Sequence, residues 1–427
     1  MRLTITRTIL LVLLCLASTQ FVLAQLSISG EIRPRAEFRD GFKTINTASQ
    51  EAAFFVEQRS RLYLEYQNEK LGFQFSLQDV RIWGNTAQIY KSDPALTNVY
   101  EAWGEYKFNS NSSIRVGRQA LNYDNARFLG NLDWAQQGRS HDVVKYMYQD
   151  SSGFSFHAGA AYNQNVVFEP GKLSSTYYEG INNYKSMQYL WLHKNWTTAQ
   201  ASLLLFNDGR QKTDSSQAFR QTYGFVGDKQ LGNVKLGGEL YYQGGKDQTG
   251  KEVNAWLAAV NVSVNTSFTP LTFGVDYLSG TNPNENTNQA FNPLYGTNHK
   301  FYGFMDYFYV GNNHGQNGQT SGLLDFYVQS KFKLGERSAL IAHFHHFSSP
   351  TSIYATEGIG EELSMQLGEE IDLVYNLNLT PEVNFKLGYS QLFSTESLEA
   401  IKGGAERKGL NQWAWAMLSI KPTFYAK

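Results

Sequence analysis

A period of two runs through almost the whole chain. In residues 26–39, LSISGEIRPRAEFR, the side chains of Leu26, Ile28, Ile32, Ala36 and Phe38 fall on one side, and those of Glu31, Arg33, Arg35, Glu37 and Arg39 on the other. Successive side chains of an extended chain leave opposite faces, so this is a strand with one apolar and one polar face. Five ionised groups within nine residues make a peculiar solvent face for a soluble sandwich. Similar runs recur near 53–67, 71–83, 97–109, 112–121, 141–149, 152–163, 185–195, 198–207, 217–228, 232–243, 253–266, 270–279, 322–333, 338–348, 367–379, 382–394 and 410–421. With the first, that makes about 18 strands, most of them 10–14 residues long. A tilted strand needs roughly 9–11 residues to cross a bilayer.

The connections alternate in length. NEK (68–70), SN (110–111), DS (150–151), WT (196–197), LGER (334–337) and TP (380–381) are tight turns, and between them lie the longer links 40–52, 84–96, 122–140, 164–184, 280–321, 349–366 and 395–409. Short turns at one end and long loops at the other are the habit of an outer-membrane barrel. In lipid, only a closed barrel leaves a sheet without an unpaired edge. The expected fold is therefore all-β: a transmembrane antiparallel barrel of about 18 strands, in the bacterial outer membrane, with extracellular loops partly folded into the lumen.

Composition agrees. Average hydropathy is negative, and beyond the first residues no stretch approaches 18 apolar residues, which excludes a helical membrane protein. Residues 1–24 read as a secretory signal, with Arg2 and Arg7, an apolar run from Ile9 to Leu16, and Val22-Leu23-Ala24 before Gln25. Cys15 is the only cysteine, and the large Leu14 before it argues against a lipoprotein site. The chain from 25 to 427 thus has no disulfide, thiolate metal site or cysteine nucleophile, and is expected to form a single barrel domain. A net charge of −1 gives no electrostatic case for nucleic acid. Aromatic residues are 15% of the chain. Tyr66, Tyr106, Tyr148, Trp191, Trp196, Tyr241, Tyr242, Trp256, Tyr277, Trp413 and Trp415 are candidates for an interfacial girdle, whereas Tyr63 and Trp103 share parity with charged neighbours and are expected inside.

The polar faces then line the lumen. To the first strand's charges the later strands add Glu57, Arg59, Arg61, Glu65, Glu101, Glu105, Glu239, Asp276, Asp325, His343, His345, Glu370 and Asp372, with a register slip expected near LQDVRIW (77–83). Arginine is unevenly spread: Arg33, Arg35, Arg39, Arg59, Arg61, Arg81, Arg115, Arg118, Arg127 and Arg139 all precede residue 140. Adjacent strands are neighbours in space, so this predicts a basic arc on one wall. Arginines set anion preference in pores, although Arg and Glu also neutralise each other across strands.

The segment GRQALNYDNARFLGNLDWAQQGRSHD (117–142) interrupts the alternation. Together with VYEAWGEY (99–106), VDYLSGT (275–281), NPLYGTNHKFYGFMDYF (292–308) and GYSQLFSTES (388–397), it resembles the alginate export family of bacterial outer-membrane barrels over nearly the whole chain. The resemblance implies an 18-stranded barrel whose pore is lined by arginines and acidic residues, narrowed by infolded loops, and used for passive passage of an anionic polysaccharide, alginate in the namesake. Arg118, Arg127, Arg139 and Asp142 match the family's charged signature, with Asp133 and Asp276 the looser matches. The chain is shorter than the namesake, with smaller loops, so the resemblance carries the fold further than the substrate. Leu129, Leu132 and Trp134, interleaved with charges, suit a loop packed against the wall of a polar lumen, and 117–142 is expected to be the constriction loop.

The expected function is a passive, porin-like channel for anionic solutes such as uronate oligosaccharides or an alginate-like polysaccharide. Arg33, Arg35, Arg59, Arg61, Arg118, Arg127, Arg139, Asp133, Asp142, Asp276, Glu370 and Asp372 are the expected pore-lining residues. The partners are an anionic saccharide or other small anionic solute and the outer-membrane lipid; a periplasmic partner is left open. A non-conducting structural or adhesive barrel competes with this reading, because 280–321, with its aromatic HKFYGFMDYFYV (299–310), could form a plug. A barrel lipase using HFHHFSS (343–349) also competes, without a G-x-S-x-G elbow. His343 and His345 share a strand face and could co-ligate a cation, but His346 points the other way and no further His lies nearby in sequence. No enzyme activity, cofactor or metal is expected.

Overall fold

The computed structural model describes residues 25–85, 96–164, 178, 183–403 and 409–427. The expected signal segment lies outside them. Every predicted run becomes a strand. The first half of the barrel comprises β1 (Gln25–Asp40), β2 (Ala53–Gln67), β3 (Leu71–Ile82), β4 (Leu96–Lys107), β5 (Ser112–Gln119), β6 (His141–Gln149), β7 (Phe154–Tyr162), β8 (Ser186–Asn195) and β9 (Ala199–Gln211). The second half comprises β10 (Gln217–Leu231), β11 (Val234–Lys246), β12 (Glu252–Asn265), β13 (Pro270–Leu278), β14 (Leu323–Lys333) and β15 (Ser338–Ser348). A small hairpin outside the barrel, β16 (Ile353–Thr356) and β17 (Ile359–Leu363), precedes β18 (Gln366–Asn378), β19 (Val383–Ser394), β20 (Asn411–Ile420) and β21 (Thr423–Ala426). A single α-turn, α1 (Glu396–Ile401), follows β19.

Consecutive strands pair antiparallel, and β20 returns to β1, giving a closed 18-strand barrel. β20 and β21 are one interrupted stave, since both pair with β1. The break falls at Pro422, which has no N–H to give to a ladder. The expected register slip is present: pairing of β3 with β4 shifts between Ser76 and Leu77.

Alternation sets the two faces. On β1, Glu31, Arg33, Arg35 and Glu37 are buried inward while Ile32 and Phe38 are exposed outward, and Leu62, Phe73, Phe75 and Leu77 continue the outer apolar surface. Tyr63 and Trp103 point inward as expected, Tyr63 against Glu31 and Trp103 beneath the Arg115 guanidinium. Four girdle candidates are corrected. Trp191, Tyr241, Trp413 and Trp415 are buried in the interior, because each shares parity with inward-facing residues of its strand. Tyr106, Trp196, Trp256 and Tyr277 remain exposed on the outside.

Tight turns close one end, the periplasmic one by the usual barrel polarity. At the other end, loops 120–140 (the third) and 279–322 (the seventh) fold into the barrel and supply much of its core, including Phe128, Leu129, Tyr302, Met305, Tyr307 and Phe308.

Candidate functional site

The two infolded loops meet in the lumen as a septum. Gly130 N–H donates to Tyr295 O (2.7 Å), Leu129 N–H to Leu294 O (3.3 Å) and Thr297 N–H to Ala126 O (2.8 Å). Gly130 and Gly296 make this approach possible: a Cβ on Gly130 would lie 2.3 Å from Thr297 Oγ1, and one on Gly296 would lie 2.1 Å from Arg127 O. Non-glycine residues Ala126, Leu129, Leu132 and Tyr295 adopt positive φ, a conformation that only surrounding contacts sustain.

One side of the septum rests on the predicted basic arc. Arg33 and Arg59 face each other directly across β1 and β2, which is repulsive without counter-charge. Arg59 donates to both oxygens of Glu31 (2.8 and 2.9 Å) and to Asp133 Oδ1 (2.9 Å). Arg33 donates to Asp133 O (2.9 Å) and Gln136 Oε1 (3.1 Å), Arg35 to Glu37, Glu57 and Trp134 O (3.0 Å), and Arg61 to Gln78 and Gln137 O (3.3 Å). The arc is therefore a cradle for the carbonyls of residues 133–137. Burial works against ionisation of Asp133, but Arg59 and Arg33 outweigh it and hold its carboxyl below the usual range. Trp134 lies under the Arg35 guanidinium (4.2 Å), stacks on His299 (4.5 Å) and meets Trp415 edge-on (4.9 Å).

The wall that runs from β11 round to β18 is acidic. Glu239 (β11), Asp276 (β13), Asp325 (β14), Glu370 and Asp372 (β18) are all buried inward. Arg127 crosses from the third loop to this wall: Nε meets Glu239 at 3.0 Å, Nη1 and Nη2 meet Asp276 at 2.7 and 3.1 Å, and Nη1 also reaches Tyr302 Oη at 2.9 Å. Burial disfavours the cation, yet Asp276 and Glu239 hold Arg127 well above its ordinary value. The seventh loop docks on the same wall through Met305 N–H to Glu370 (2.8 Å) and Phe304 N–H to Asp372 (3.3 Å).

Wells open on either side of the septum. The extracellular one, about 510 Å³, is lined by Arg139, Arg210, Arg220, Phe291, Tyr295 and Tyr309 among others. Arg210 and Arg220 share Asp208 (2.9 and 3.4 Å), and Tyr295 Oη also donates to it (2.8 Å). Arg139 donates only to the carbonyls of Gly130 (3.3 Å) and Gly296 (2.9 Å), with no carboxylate partner among the described residues. Burial draws it down to about 10, so it stays cationic at neutral pH. The periplasmic well, about 590 Å³, includes Glu105, Lys107, Arg115 and His157.

Two expected pore residues are corrected. Arg118 and Asp142 pair with each other (3.1 Å), but on the outer face of β5 and β6, where they alternate with inward Gln119, His141 and Val143. The remaining ten lie inside, yet Arg33, Arg35, Arg59, Arg61, Arg127, Asp276, Glu370 and Asp372 are buried, Asp133 is partly buried beneath the arc, and Arg139 alone lines a well. Arg210, Arg220 and Asp208 were missed. They flank the five-residue link 212–216, and their parity with Phe206 and Thr222 was the available signal.

A family model described as alginate export matches residues 24–408. No curated protein matches the chain. Among solved structures, OccK9 (OpdG) of Pseudomonas aeruginosa is 12% identical, with 93% of this chain and 98% of that one covered and a TM-score of 0.61. OccAB4 of Acinetobacter baumannii is 9% identical, covering 95% and 100%, with a TM-score of 0.63. The outer-membrane protein OpdK of P. aeruginosa is 11% identical, covering 94% and 99%, with a TM-score of 0.59; it has also been solved with vanillate. At these identities the structural likeness is one of fold. The family match rests on sequence along most of the chain, and with it a closed barrel whose loops fill its own lumen belongs to the alginate export family of bacterial outer-membrane proteins.

Proposed function

We propose that this porin-like outer-membrane channel passes anionic solutes down their gradient, with uronate oligosaccharides or an alginate-like polysaccharide as the candidate cargo. The observation that carries the reading is the extracellular well, where Arg139, Arg210 and Arg220 converge and, among the described residues, only Asp208 forms an ion pair with any of them. A planar guanidinium takes a carboxylate in two parallel hydrogen bonds. The aromatic rings of Tyr295 and Tyr309, both partly exposed in the same well, suit the apolar faces of sugar rings. Vanillate, found with the structural neighbour OpdK, is likewise a carboxylate. Partial neutralisation by Asp208 keeps binding weak enough for release, which conduction requires.

The septum is the observation that favours the competing, non-conducting barrel, and a conductance measurement separates the two. In planar bilayers under a KCl gradient, the expected result is an anion-selective reversal potential. The triple variant R139A/R210A/R220A should shift it towards zero, whereas R118A, on the outer face, should leave it unchanged. An unchanged potential in the triple variant sinks the anion assignment; silence of the wild type at all voltages supports the structural barrel.

A further inference from the structure

The acidic wall holds more buried charge than its contacts answer. Among the described residues, the five inward carboxylates Glu239, Asp276, Asp325, Glu370 and Asp372 share one guanidinium, that of Arg127 on Glu239 and Asp276, and one imidazole, that of His345 between Asp325 and Asp372. Asp276 and Asp325 stand directly opposite each other across β13 and β14. Buried charges need partners or metals. Among the described residues, three polar atoms here have no hydrogen-bond partner: Glu370 Oε2, Asp372 Oδ1 and His343 Nδ1. Glu370 and Asp372 are 0% and 1% exposed, so bulk solvent does not reach them.

Strand register brings the relevant groups together. On β15, His343 and His345 share the inward face, and the paired strand β18 sets Asp372 opposite His343 and Glu370 opposite His345. One donor atom each from His343, His345 and Asp372 lies within 4.8 Å of the other two. Asp325 grips His345 through Nδ1 (3.0 and 2.9 Å), turning Nε2 towards Asp372 Oδ2 at 3.9 Å. A carboxylate on the far nitrogen of an imidazole is the arrangement that fixes the tautomer and orientation of a metal-ligating histidine.

We propose that His343, His345 and Asp372 form a binding site for one divalent transition-metal cation of the zinc class, oriented by Asp325. Two imidazoles and a carboxylate select such a metal over calcium or magnesium, which prefer an all-oxygen shell. Donors bound to one zinc at roughly 2.0–2.1 Å stand about 3.4 Å apart, so small side-chain rotations close the site. A fourth position is left for Glu370 or water. The cation offsets part of the surplus negative charge and fixes the floor on which the seventh loop sits, since the Phe304 ring packs against His343 (5.0 Å) and its N–H reaches Asp372. The site stands on its own geometry, independent of what the channel carries.

The test uses the full-length, tag-free protein, folded in detergent, stripped with chelator and titrated with Co²⁺. The expected result is one Co²⁺ per chain, with the visible absorption of a four- or five-coordinate ion, displaced by Zn²⁺. H343A and D372N should each weaken binding by more than tenfold, and D325N by about 10–100-fold, as the loss of an orienting partner does. H346A should have no effect, because His346 points outward to Glu369 (3.0 Å). Heat-modifiable migration confirms that each variant keeps its barrel. Absence of saturable Co²⁺ binding by the folded wild type overturns the site and leaves a proton shared between Glu370 and Asp372 as what satisfies the pair. Equal loss in H346A and H343A overturns it as well.

Discussion

Arg127 shows how much one side chain can hold. Its fork spans Glu239 and Asp276, its plane lies 4.0 Å from the Phe301 ring, and it is the ionic tie between the third loop and the acidic wall. A lysine could not make the same set, because it is a point charge without a planar fork. Removing one partner of a buried ion pair typically costs about 3–5 kcal/mol, since the other is left unpaired. R127A is therefore expected to undock the third loop by that order while the barrel ladder persists. Single-channel conductance should rise and residues 120–140 should become protease-sensitive, with heat-modifiable migration unchanged; a wild-type conductance trace would show that the tie does not hold the septum. Alternation alone placed Arg33, Arg59, Tyr63 and Trp103 correctly. It would also have placed Arg118 and Asp142 outward, since both lie in the strand runs 112–121 and 141–149 where the period of two still rules; the family's charged signature groups them with Arg127 and Arg139 instead.

At the scale of elements, the seventh loop is a packed body held by side chains that lose hydration on docking. His314 is buried between Phe308 (5.5 Å) and Tyr309 (4.5 Å), and burial, helped by nearby Lys402, pushes it down to about 3 from 6.5. Between those values the undocked loop binds a proton that the docked loop excludes, so docking is fully stable above pH 6.5 and is lost as pH falls. The slope is about 1.4 kcal/mol per pH unit. Open probability in bilayers is accordingly expected to rise as pH drops from 7 to 4, and H314F should flatten that response; equal acid opening in H314F would place its origin elsewhere. The sequence marked this loop as an aromatic, infolded candidate. It could not show that Gly296 meets Arg127 or that Thr297 meets Ala126, because such contacts join segments far apart in the chain that only barrel closure brings together.

For the whole molecule, a net charge of −1 conceals an arginine-rich arc, matched by its own carboxylates and Asp133, and a carboxylate-rich wall, joined by a septum. The preference that Arg139, Arg210 and Arg220 impose acts across a wet well, where mobile ions screen it. With a Debye length of about 10 Å at 0.1 M and about 3 Å at 1 M, anion selectivity should fall steeply as mean salt concentration rises. Selectivity that does not change with salt would place discrimination in dry contacts at the septum instead. The barrel, its strand number and its inner and outer faces were determined by the sequence itself, because a period of two over strands of membrane-crossing length leaves one closed solution in lipid. What the charges do was decided by tertiary structure. Whether an inward arginine faces water, a loop carbonyl or a carboxylate depends on which loop fills the lumen above it, and the period of a strand carries no record of that.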